Sequence, residues 1–381
     1  MRQKTITGIF ILVLSAVYLF FNVNTVAASG ISAQTGFQVD WWRDNKDNKA
    51  VQASIPVKIE ARQGDYSLSL LTGYANTHVE PADRENRTLS HILDTKVNFS
   101  YAILEKLPVD VLLGLDLNLP TGKTDFVQEE LVLIMDPDII AINTFGEGYN
   151  VNPTVSVVKD WGIWTAGMGV GYLWRREYDF SKNLQDYDPG DIVNATAEVR
   201  YYFSPAWSTR FFGGYAWYGK DRVEGEDFAQ PGEHYLLGLG LYYDETGWDA
   251  GFEIKTILRD KSKFQETTGG LFTEDSNGRG REFTTDLLLA YIVNDKTALN
   301  ASLRGLYIMD NDYPADSSRF VGSRMKAALN LGVSRRIYRN FEYEVNVKGF
   351  VMHDEEANFP ETRNARDFTG LSTVVGLTTS F

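Results

Sequence analysis

Hydrophobic and polar positions alternate along the segment that runs from Val109 to Leu117. Every second residue there is apolar, and the residues between them are polar or glycine apart from Leu112. Because successive side chains of a β-strand point to opposite faces, this alternation predicts a strand with one apolar and one polar face. The segments Asn152–Val158 and Trp164–Trp174 repeat the pattern as a hairpin. Such strands need an apolar medium on one side and water on the other.

The same alternation recurs along the whole chain, with connections that are short and long in turn. We therefore predict an all-β fold, a transmembrane antiparallel β-barrel of about 16 strands with short periplasmic turns and long extracellular loops. A barrel of about 14 or 18 strands is the alternative if a long run has been divided wrongly, and a soluble β-sandwich is the other fold considered. The predicted strands are Thr35–Arg43, Ala50–Arg62, Tyr66–His78, Leu89–Leu104, Val109–Leu119, Val151–Val158, Trp164–Tyr178, Ile192–Phe203, Ser208–Val223, His234–Tyr243, Trp248–Phe264, Glu282–Val293, Ala298–Asn311, Phe320–Arg336, Phe341–His353 and Phe368–Phe381.

Residues 1–28 have the pattern of a secretory signal. Two basic residues precede the apolar run Ile6–Phe21, and Val26–Ala28 supplies the small residues that favour cleavage. An N-terminal membrane helix is the alternative, but polar residues rather than stop-transfer charges follow the run. We predict that the signal peptide is removed and that residues 29–381 form the barrel.

Composition narrows the classes of function. The 381 residues include no cysteine, which fits an exported protein that needs no disulfide bonds. A formal net charge of −14 argues against nucleic-acid binding, because contacts to phosphates need lysine and arginine. The chain has 20 Tyr, 22 Phe and 8 Trp, and many of them stand next to the predicted short turns. Aromatic rings favour the membrane–water boundary, so this clustering predicts a girdle at the short-turn end of the barrel.

The predicted inward faces carry charges of both signs. Such charges are costly against lipid, so they line water or pair with one another. An open aqueous channel and a barrel closed by internal ion pairs both satisfy this condition, although a barrel this wide has more space than its side chains fill. The candidate pore-wall residues are Arg200, Arg210, Lys255, Arg304, Arg324, Lys326 and Lys348.

The long connection Gly122–Asn150 contains two apolar runs, Leu131–Met135 and Ile139–Ile142, which do not belong in bulk water. We predict that this loop folds into the barrel mouth as a constriction. The alternatives are that it lies against lipid, contacts a partner or extends a strand above the membrane. The candidate constriction residues are Glu129, Glu130, Leu133, Met135, Asp136, Asp138 and Ile140, and the basic wall residues expected opposite their carboxylates are Arg200, Arg210 and Arg324. Opposed charges there would set up a transverse field that selects dipolar solutes.

Four short runs of sequence around this loop carry a family resemblance. They are Leu119–Gly122, Gly146–Asn150, Asn152–Val158 and Gly167–Tyr172. With this LPTG-type strand end, glycine-rich loop end and hairpin closing on a Gly–Tyr pair, the chain resembles the outer-membrane proteins named for the meta-pathway of phenol degradation. That family is grouped with channels for long-chain fatty acids and aromatic hydrocarbons, so the resemblance implies an outer-membrane transporter of hydrophobic compounds. The charged wall favours polar solutes, and the sequence leaves both classes open.

We predict a channel for the passive uptake of small solutes, hydrophobic or aromatic compounds among them. A general or ion-selective porin and a structural surface barrel are the alternatives. An enzyme is a further alternative, because Asp275–Arg279 resembles the active-site run of outer-membrane phospholipase. Glu274 stands where that enzyme has histidine and is a poor base for a serine hydroxyl, although His234 on the neighbouring loop could replace it. We therefore predict no enzyme activity and no catalytic residues.

The expected partners follow from the same features. They are the lipid bilayer, lipopolysaccharide, a small solute and the outer-membrane assembly machinery, without nucleic acid. Phe381 ends an alternating apolar strand, which resembles the signal that this machinery recognises. Acidic loop runs could bridge to lipopolysaccharide phosphates through divalent cations, but they lack metal-ligand spacing, so we expect solvated charge, no resident metal and no cofactor. The expected location is the outer membrane of a diderm, Gram-negative bacterium.

Overall fold

The computed structural model describes residues 29–266 and 269–381. The predicted signal peptide, residues 1–28, lies outside the described residues. The described part of the chain is built of strands together with a 3₁₀ helix at Gln128–Leu133. The strands are β1 Ser29–Asp44, β2 Lys49–Gln63, β3 Tyr66–Glu80, β4 Arg87–Ile92, β5 Thr95–Ile103, β6 Asp110–Leu119, β7 Asn150–Asp160, β8 Trp164–Arg175, β9 Tyr187–Asp188, β10 Ile192–Tyr202, β11 Trp207–Tyr218, β12 Asp221–Val223, β13 Glu226–Gln230, β14 His234–Glu245, β15 Trp248–Arg259, β16 Lys263–Gln265, β17 Leu271–Thr273, β18 Glu282–Asn294, β19 Thr297–Ile308, β20 Arg324–Tyr338, β21 Phe341–Asp354 and β22 Arg366–Ser380.

A closed 16-strand antiparallel barrel is the main body of the protein, as the alternation predicted. Each barrel strand pairs with the next along the chain, and β1 pairs with β22 to close the ring. Strands β4 and β5 share one position in the barrel, because both pair with β3. The long connections leave from one end of the barrel and the short turns from the other. These are called the long-loop end and the short-turn end below.

A bulge divides the fourth predicted strand, Leu89–Leu104. Ile92 is opposite Tyr74, whereas Lys96 is opposite Leu71, so this strand has one residue more than β3 between the two pairs. A β-bulge shifts the alternation by one position and bends the strand. The prediction of one uninterrupted strand was therefore wrong, because a single extra residue leaves the composition of the strand unchanged.

Several other predicted strands extended too far, and two of them did so by five residues. The predicted strand Ser208–Val223 ends as β11 at Tyr218, and the predicted strand Trp248–Phe264 ends as β15 at Arg259. Part of what remains of each, as β12 and β16, belongs to a second sheet of five short strands, in the order β17-β16-β13-β12-β9. Three long connections build this sheet. The residues keep the alternation of a strand, but they pair with other loop segments instead of with the barrel.

The outward face of the barrel is apolar. Large side chains such as Phe37, Leu239 and Val351 are exposed there, which is the surface that a lipid-facing barrel needs. At the short-turn end aromatic rings cluster, and Phe203 and Trp207 stack with their ring centroids 6.2 Å apart. In residues 29–266 and 269–381 no helix has the length and hydropathy to cross a membrane.

A buried apolar cluster lies inside the barrel at the long-loop end. It forms where the loop Gly122–Asn150 meets inward-facing residues of β1–β4 and β20–β22. The wall contributes Trp42, Ala50, Ala75, Val79, Leu89, Ala328, Phe350, Met352 and Phe368, and the loop contributes Phe126, Leu133, Ile140 and Phe145. This cluster therefore fixes the loop against one side of the lumen.

Candidate functional site

The loop Gly122–Asn150, called the lumen loop below, packs its apolar side chains on the barrel wall. Leu133 is 0% exposed and Ile140 is 3% exposed. The side chains of Leu131, Val132, Ile134, Met135, Ile139 and Ile142 are partly buried against the same cluster. Full burial of one aliphatic side chain contributes about 1.5–3 kcal/mol, so these contacts hold the loop firmly. The sequence predicts that the loop carrying these two apolar runs folds into the barrel mouth. In the structure the most buried side chains of both runs face the wall, because the wall there is itself apolar.

Asp94, at the bulge between β4 and β5, joins the two ends of the lumen loop. Its Oδ1 accepts a hydrogen bond from the backbone N–H of Gly122 at 2.8 Å, and its Oδ2 accepts one from the N–H of Glu147 at 2.7 Å. The side-chain amide of Asn118 donates to the same Oδ2 at 2.7 Å. Asp94 is 8% exposed, and these three donors compensate for the burial of its charge. One wall residue thus fixes where the loop begins and ends.

Two glycines of the LPTG and GEGYN runs are required by close approaches. A Cβ on Gly122 would lie 1.8 Å from the carbonyl oxygen of Phe145, where the two ends of the lumen loop meet. Gly148 has a φ of +76°, and a Cβ there would lie 2.8 Å from the ring of Tyr178. A residue with a side chain would force the backbone to move at either position. The structure therefore explains why glycine occupies these two positions of the runs.

The ring of Tyr178 covers the end of the lumen loop from the next long connection. Burial raises the pKa of the Tyr178 phenol to about 12, and the nearby Glu147 carboxylate acts in the same direction. Burial likewise raises the pKa of Tyr187, whose ring packs edge to face on Tyr178 with the centroids 5.7 Å apart. Both phenols are therefore neutral at physiological pH and serve as packing groups.

Gln52 on β2 holds the second half of the lumen loop. Its Nε2 donates to the carbonyl oxygen of Ile142 at 2.9 Å, and its Oε1 accepts from the N–H of Ile142 at 3.2 Å. Nε2 also donates to Thr77 Oγ1 at 2.8 Å, and Gln52 is 0% exposed. The side-chain amide thus takes the place of a neighbouring strand, so that both backbone polar groups of Ile142 are paired inside the barrel.

Arg324 on β20 holds the tip of the lumen loop through a cluster of charges. Its Nη1 donates to Asp136 Oδ2 at 2.6 Å and to Asp138 Oδ2 at 2.8 Å. Its Nε donates to Asp354 Oδ1 at 2.7 Å, and Lys326 adds a hydrogen bond to the carbonyl oxygen of Asp138. The Arg324 side chain is 15% exposed, so separation from its partners would leave poorly solvated charges.

Of the three wall arginines that the sequence predicts opposite the loop carboxylates, Arg200 and Arg210 do not face the lumen loop. Arg210 lies 3.8 Å from Glu198 and 3.5 Å from Glu253, which are both wall residues. Arg200 lies opposite Arg210 on the neighbouring strand. The structure differs from the expectation because these arginines belong to β10 and β11, whereas the loop packs on β1–β4 and β20–β22.

Other candidate residues pair locally. Glu130 lies 3.0 Å from Lys123 of its own loop, and Glu129 is exposed. Arg304 lies 2.5 Å from Asp286 on the neighbouring strand. The ion pairs of Glu130 and Arg304 therefore lie within one connection or one strand pair, and they do not join the loop to the wall.

Lys255 and Lys348 occupy inward positions on β15 and β21. In the part of the chain that the structure describes, neither ammonium has a carboxylate within salt-bridge distance. Lys255 is opposite Gly238, and Lys348 lines a small recess together with Asp138 and Ile140 of the lumen loop. The wall thus keeps positive charge beyond its internal pairs.

The described residues form, among others, two recesses on the lumen that are larger than the one beside Lys348. The larger has a volume of about 590 Å³, lies towards the short-turn end and is lined by residues such as Arg200, Tyr202, Tyr242, Leu288, Asn300 and Asn330. The smaller, about 380 Å³, lies between the second half of the lumen loop and the wall and is lined by residues such as Pro56, Leu71, Leu93, Lys96, Ile142 and Glu147. Both combine apolar and polar groups, as small-molecule sites do.

The anchoring roles of Asp94 and Gln52 were missed by reasoning from the sequence. Each resembles an ordinary residue of a polar face, and their loop partners are 53 and 90 residues away. The apolar inner wall, also missed, did leave a signal. Trp41 and Trp42 are adjacent, so β1 is apolar on both faces at its long-loop end, which indicates that something apolar packs inside.

The enzyme alternative needs a base near Ser276. His234 shares a hydrogen bond with the hydroxyl of Tyr218 at 2.9 Å, and none joins it to Ser276 among the described residues. Glu274 is buried and accepts a hydrogen bond from the N–H of Ser262 at 2.7 Å, which makes it part of the loop structure. Within residues 29–266 and 269–381, no group of three or more His, Cys, Asp or Glu side chains is placed to hold a metal ion.

A family model described as "Putative MetA-pathway of phenol degradation" matches residues 24–267. The match covers more than half of the chain and includes the whole lumen loop with the glycine-containing runs at both of its ends. A search of the curated proteins found no match.

Solved structures are similar to the chain over most of its length, at low identity. OccAB1 of Acinetobacter baumannii is 8% identical, with 93% of this chain and 97% of that chain covered and a TM-score of 0.46. The toluene transporter TodX of P. putida is 8% identical, with 94% and 91% covered and a TM-score of 0.39. The monoaromatic hydrocarbon channel CymD is 11% identical, with 92% and 88% covered and a TM-score of 0.44.

Proposed function

The chain belongs to the phenol-degradation family whose model matches residues 24–267, and we propose that it is an outer-membrane channel for the passive uptake of small solutes. The lumen loop is the constriction of this channel. The observation that carries the proposal is the attachment of the loop to one side of a lumen whose other side is charged.

The three anchors of the lumen loop lie on one side of the barrel. Arg324, Gln52 and Asp94 belong to the continuous wall that runs from β20 through β22 and β1 to the bulge between β4 and β5. The larger recess belongs to the wall from β10 to β20. A loop that is fastened to one wall narrows a lumen without sealing it, which is what a constriction requires.

The charges of the opposite wall support a path that is filled with water. Arg200 and Lys255 face the lumen without a carboxylate at salt-bridge distance among the described residues. An unpaired charge in a dry interior would be costly, so each of these groups meets water or a charged solute. In a barrel closed by internal ion pairs alone, these two charges would be buried without a partner.

The proposed solutes include hydrophobic or aromatic compounds. Family membership supports this class, as do the apolar side chains of Leu71, Leu93 and Ile142 in the smaller recess. The second candidate is a general or ion-selective porin, which the unpaired wall charges favour. A porin should select ions by the charge of its wall, whereas the ion current of a channel for aromatic compounds should be blocked by those compounds.

The proposed location is the outer membrane of a diderm bacterium, with lipopolysaccharide around the long-loop end. The apolar outward face and the regular exchange of long and short connections support it. Recognition by the assembly machinery is supported by Phe381, a residue that is 77% exposed while its N–H donates to the carbonyl oxygen of Ile31 at 2.8 Å. Phe381→Ala should reduce the amount of heat-modifiable barrel in outer-membrane fractions, and an unchanged amount would argue against this role.

Planar-bilayer recordings of the refolded protein test the channel. The wild-type barrel should give discrete conductance steps. Deletion of Glu129–Ile142 should enlarge the steps and change their ion selectivity, while the band on an unboiled gel still shifts as a folded barrel does. A silent wild-type barrel would overturn the channel proposal. Unchanged conductance and selectivity after the deletion would place the loop outside the conducting path.

A silent barrel would be assayed for the remaining classes of function. Hydrolysis of phospholipid vesicles that is lost in Ser276→Ala would favour an outer-membrane enzyme. A folded barrel that neither conducts nor hydrolyses lipid would favour a structural surface protein. Ser262→Ala, in the same loop region, is the control that separates a chemical role of Ser276 from a loss of loop structure.

A further inference from the structure

Two arginines face the lumen at directly opposite positions of neighbouring strands. Arg200 on β10 is the register partner of Arg210 on β11. The adjacent residues Val199 and Phe211 are exposed on the outward face, so both arginine side chains start from the inner face. Like charges directly opposite each other destabilise a sheet. A wall that keeps two arginines there therefore carries a cost that strand pairing does not explain.

The two arginines differ in their internal counter-charges. Arg210 lies 3.5 Å from Glu253 and 3.8 Å from Glu198, and the hydroxyl of Tyr242 donates a hydrogen bond to Glu253. Arg200 has no carboxylate at salt-bridge distance in the described ranges. Its guanidinium carbon lies 5.4 Å from the centroid of the Tyr242 ring. The N–H donors of Arg200 are thus available to a ligand.

Arg200 lines the larger recess of the lumen, whose volume is about 590 Å³. The recess is also lined by Tyr202, Leu288, Asn300, Ser302 and Asn330. A guanidinium presents paired N–H donors that match the two oxygens of a carboxylate. Apolar surface beside such donors suits a small acid with a hydrocarbon or aromatic body.

Acidic residues limit the charge that this recess accepts. Asp244 and Asp249 are register partners, and both line the recess at its short-turn edge. They repel negative charge, whereas the carboxylates of Glu198 and Glu253 are engaged by Arg210. A solute with a second carboxylate would meet this repulsion. The recess therefore fits a solute with a single negative charge.

We propose that this recess, named the Arg200 site, binds small monocarboxylates with an apolar or aromatic body as they pass through the lumen. The carboxylate accepts hydrogen bonds from Arg200, and the apolar body lies on Leu288 and Tyr202. The inference rests on the proposed channel function, and it adds a solute class that the family match does not specify.

Benzoate is the probe, with benzamide and protonated benzylamine as its neutral and cationic counterparts. Benzoate should block the current of wild-type channels in planar bilayers, and benzamide should block weakly. Arg200→Gln should raise the half-blocking concentration of benzoate about 10-fold or more, because a hydrogen bond to a charged group contributes about 1.5–3 kcal/mol. Arg200→Lys keeps the charge without the paired donors and should retain part of the block.

The control is Arg335→Gln, on β20 outside the recess, which should leave the benzoate block unchanged. Equal block by benzoate and benzamide would overturn the Arg200 site, and stronger block by benzylamine would overturn it in favour of Asp244 and Asp249.

A channel that conducts and is insensitive to benzoate refutes the site alone. For a silent barrel, equilibrium dialysis against benzoate in detergent decides. Binding that depends on Arg200 supports the site although the channel proposal fails, and no binding overturns both.

Discussion

Asp94 Oδ1 lies 2.8 Å from the backbone nitrogen of Gly122, which ties the bulge in the barrel wall to the first residue of the lumen loop. Without the extra residue of the bulge, the alternation from Ile92 would turn the side chain of Asp94 towards lipid. The same carboxylate accepts a hydrogen bond from the N–H of Glu147, close to the other end of the loop. The bulge that sets the register of the wall therefore also sets where the lumen loop begins and ends.

Asp94→Ala should release both ends of the lumen loop. The N–H groups of Gly122 and Glu147 lose their acceptor, and a hydrogen bond to a charged group contributes about 1.5–3 kcal/mol. We expect larger and noisier single-channel conductance from a barrel that still shifts on an unboiled gel. Asp83→Ala, at an exposed loop position, is the control and should match the wild type. A conductance equal to that of the wild type would argue against the anchoring role of Asp94.

Gly122→Ala should part the two ends of the loop by steric conflict. The added Cβ would lie 1.8 Å from the carbonyl oxygen of Phe145, and backbone cannot yield as a flexible side chain can. We expect faster trypsin cleavage at Lys123, detected by mass spectrometry. Gly305→Ala is the matched control, since nothing lies within 4 Å of its added Cβ. If both variants are cleaved as slowly as the wild type, the two loop ends are not in obligatory contact.

Gln52→Leu should expose the backbone of the lumen loop near Ile142 to exchange. The substitution keeps much of the side-chain volume but removes both hydrogen bonds to Ile142, and loss of a buried partner costs about 1–3 kcal/mol. A free-energy cost of this size should make amide hydrogen exchange at Ile142 about 10-fold faster or more. Gln34→Leu, an exposed position on β1, should not change this rate. Equal protection in both variants would mean that packing alone holds this half of the loop.

Arg324→Gln should free the tip of the lumen loop. It removes the guanidinium from Asp136, Asp138 and Asp354, and breaking a buried ion pair costs about 3–5 kcal/mol. High salt should act in the same direction, because the side chains of the two loop aspartates are 32% and 29% exposed. Wild-type conductance relative to bulk conductivity should therefore rise with KCl concentration, and that rise should be absent in the variant. Arg335→Gln should keep the wild-type salt dependence. If Arg324→Gln also keeps it, Arg324 does not hold the tip of the lumen loop.

The barrel could be predicted from the sequence because the side-chain period of a strand is a local property. Leu239 and Gly240 reveal their faces without knowledge of their partners. The bulge needs more, since its trace is a change of phase between Leu89 and Lys96, which both face the lumen from positions that simple alternation would put on opposite sides. A change of phase inside a long strand is easily mistaken for an irregular face.

The sequence predicts that the loop folds into the barrel, but it does not reveal which side of the wall the loop contacts. Asp136 and Asp138 are separated from Arg324 by 188 and 186 residues and meet it only when the barrel has closed. Arg200 is equally basic and faces the same lumen. The side of the barrel on which the loop packs decides between these arginines, and that side is determined by apolar wall residues such as Trp42, which no charge pattern reveals.

The small sheet beyond the barrel rim joins three separate connections, because β9, β12–β13 and β16–β17 come from successive long loops. Backbone hydrogen bonds between these strands make their registers interdependent, and a shift by one residue would reverse the faces of a whole strand. Surface loops ordinarily accept insertions and deletions one at a time. In this protein a length change in one of the three should be tolerated only with compensating changes in its neighbours, so this part of the surface at the long-loop end is expected to diversify as a unit.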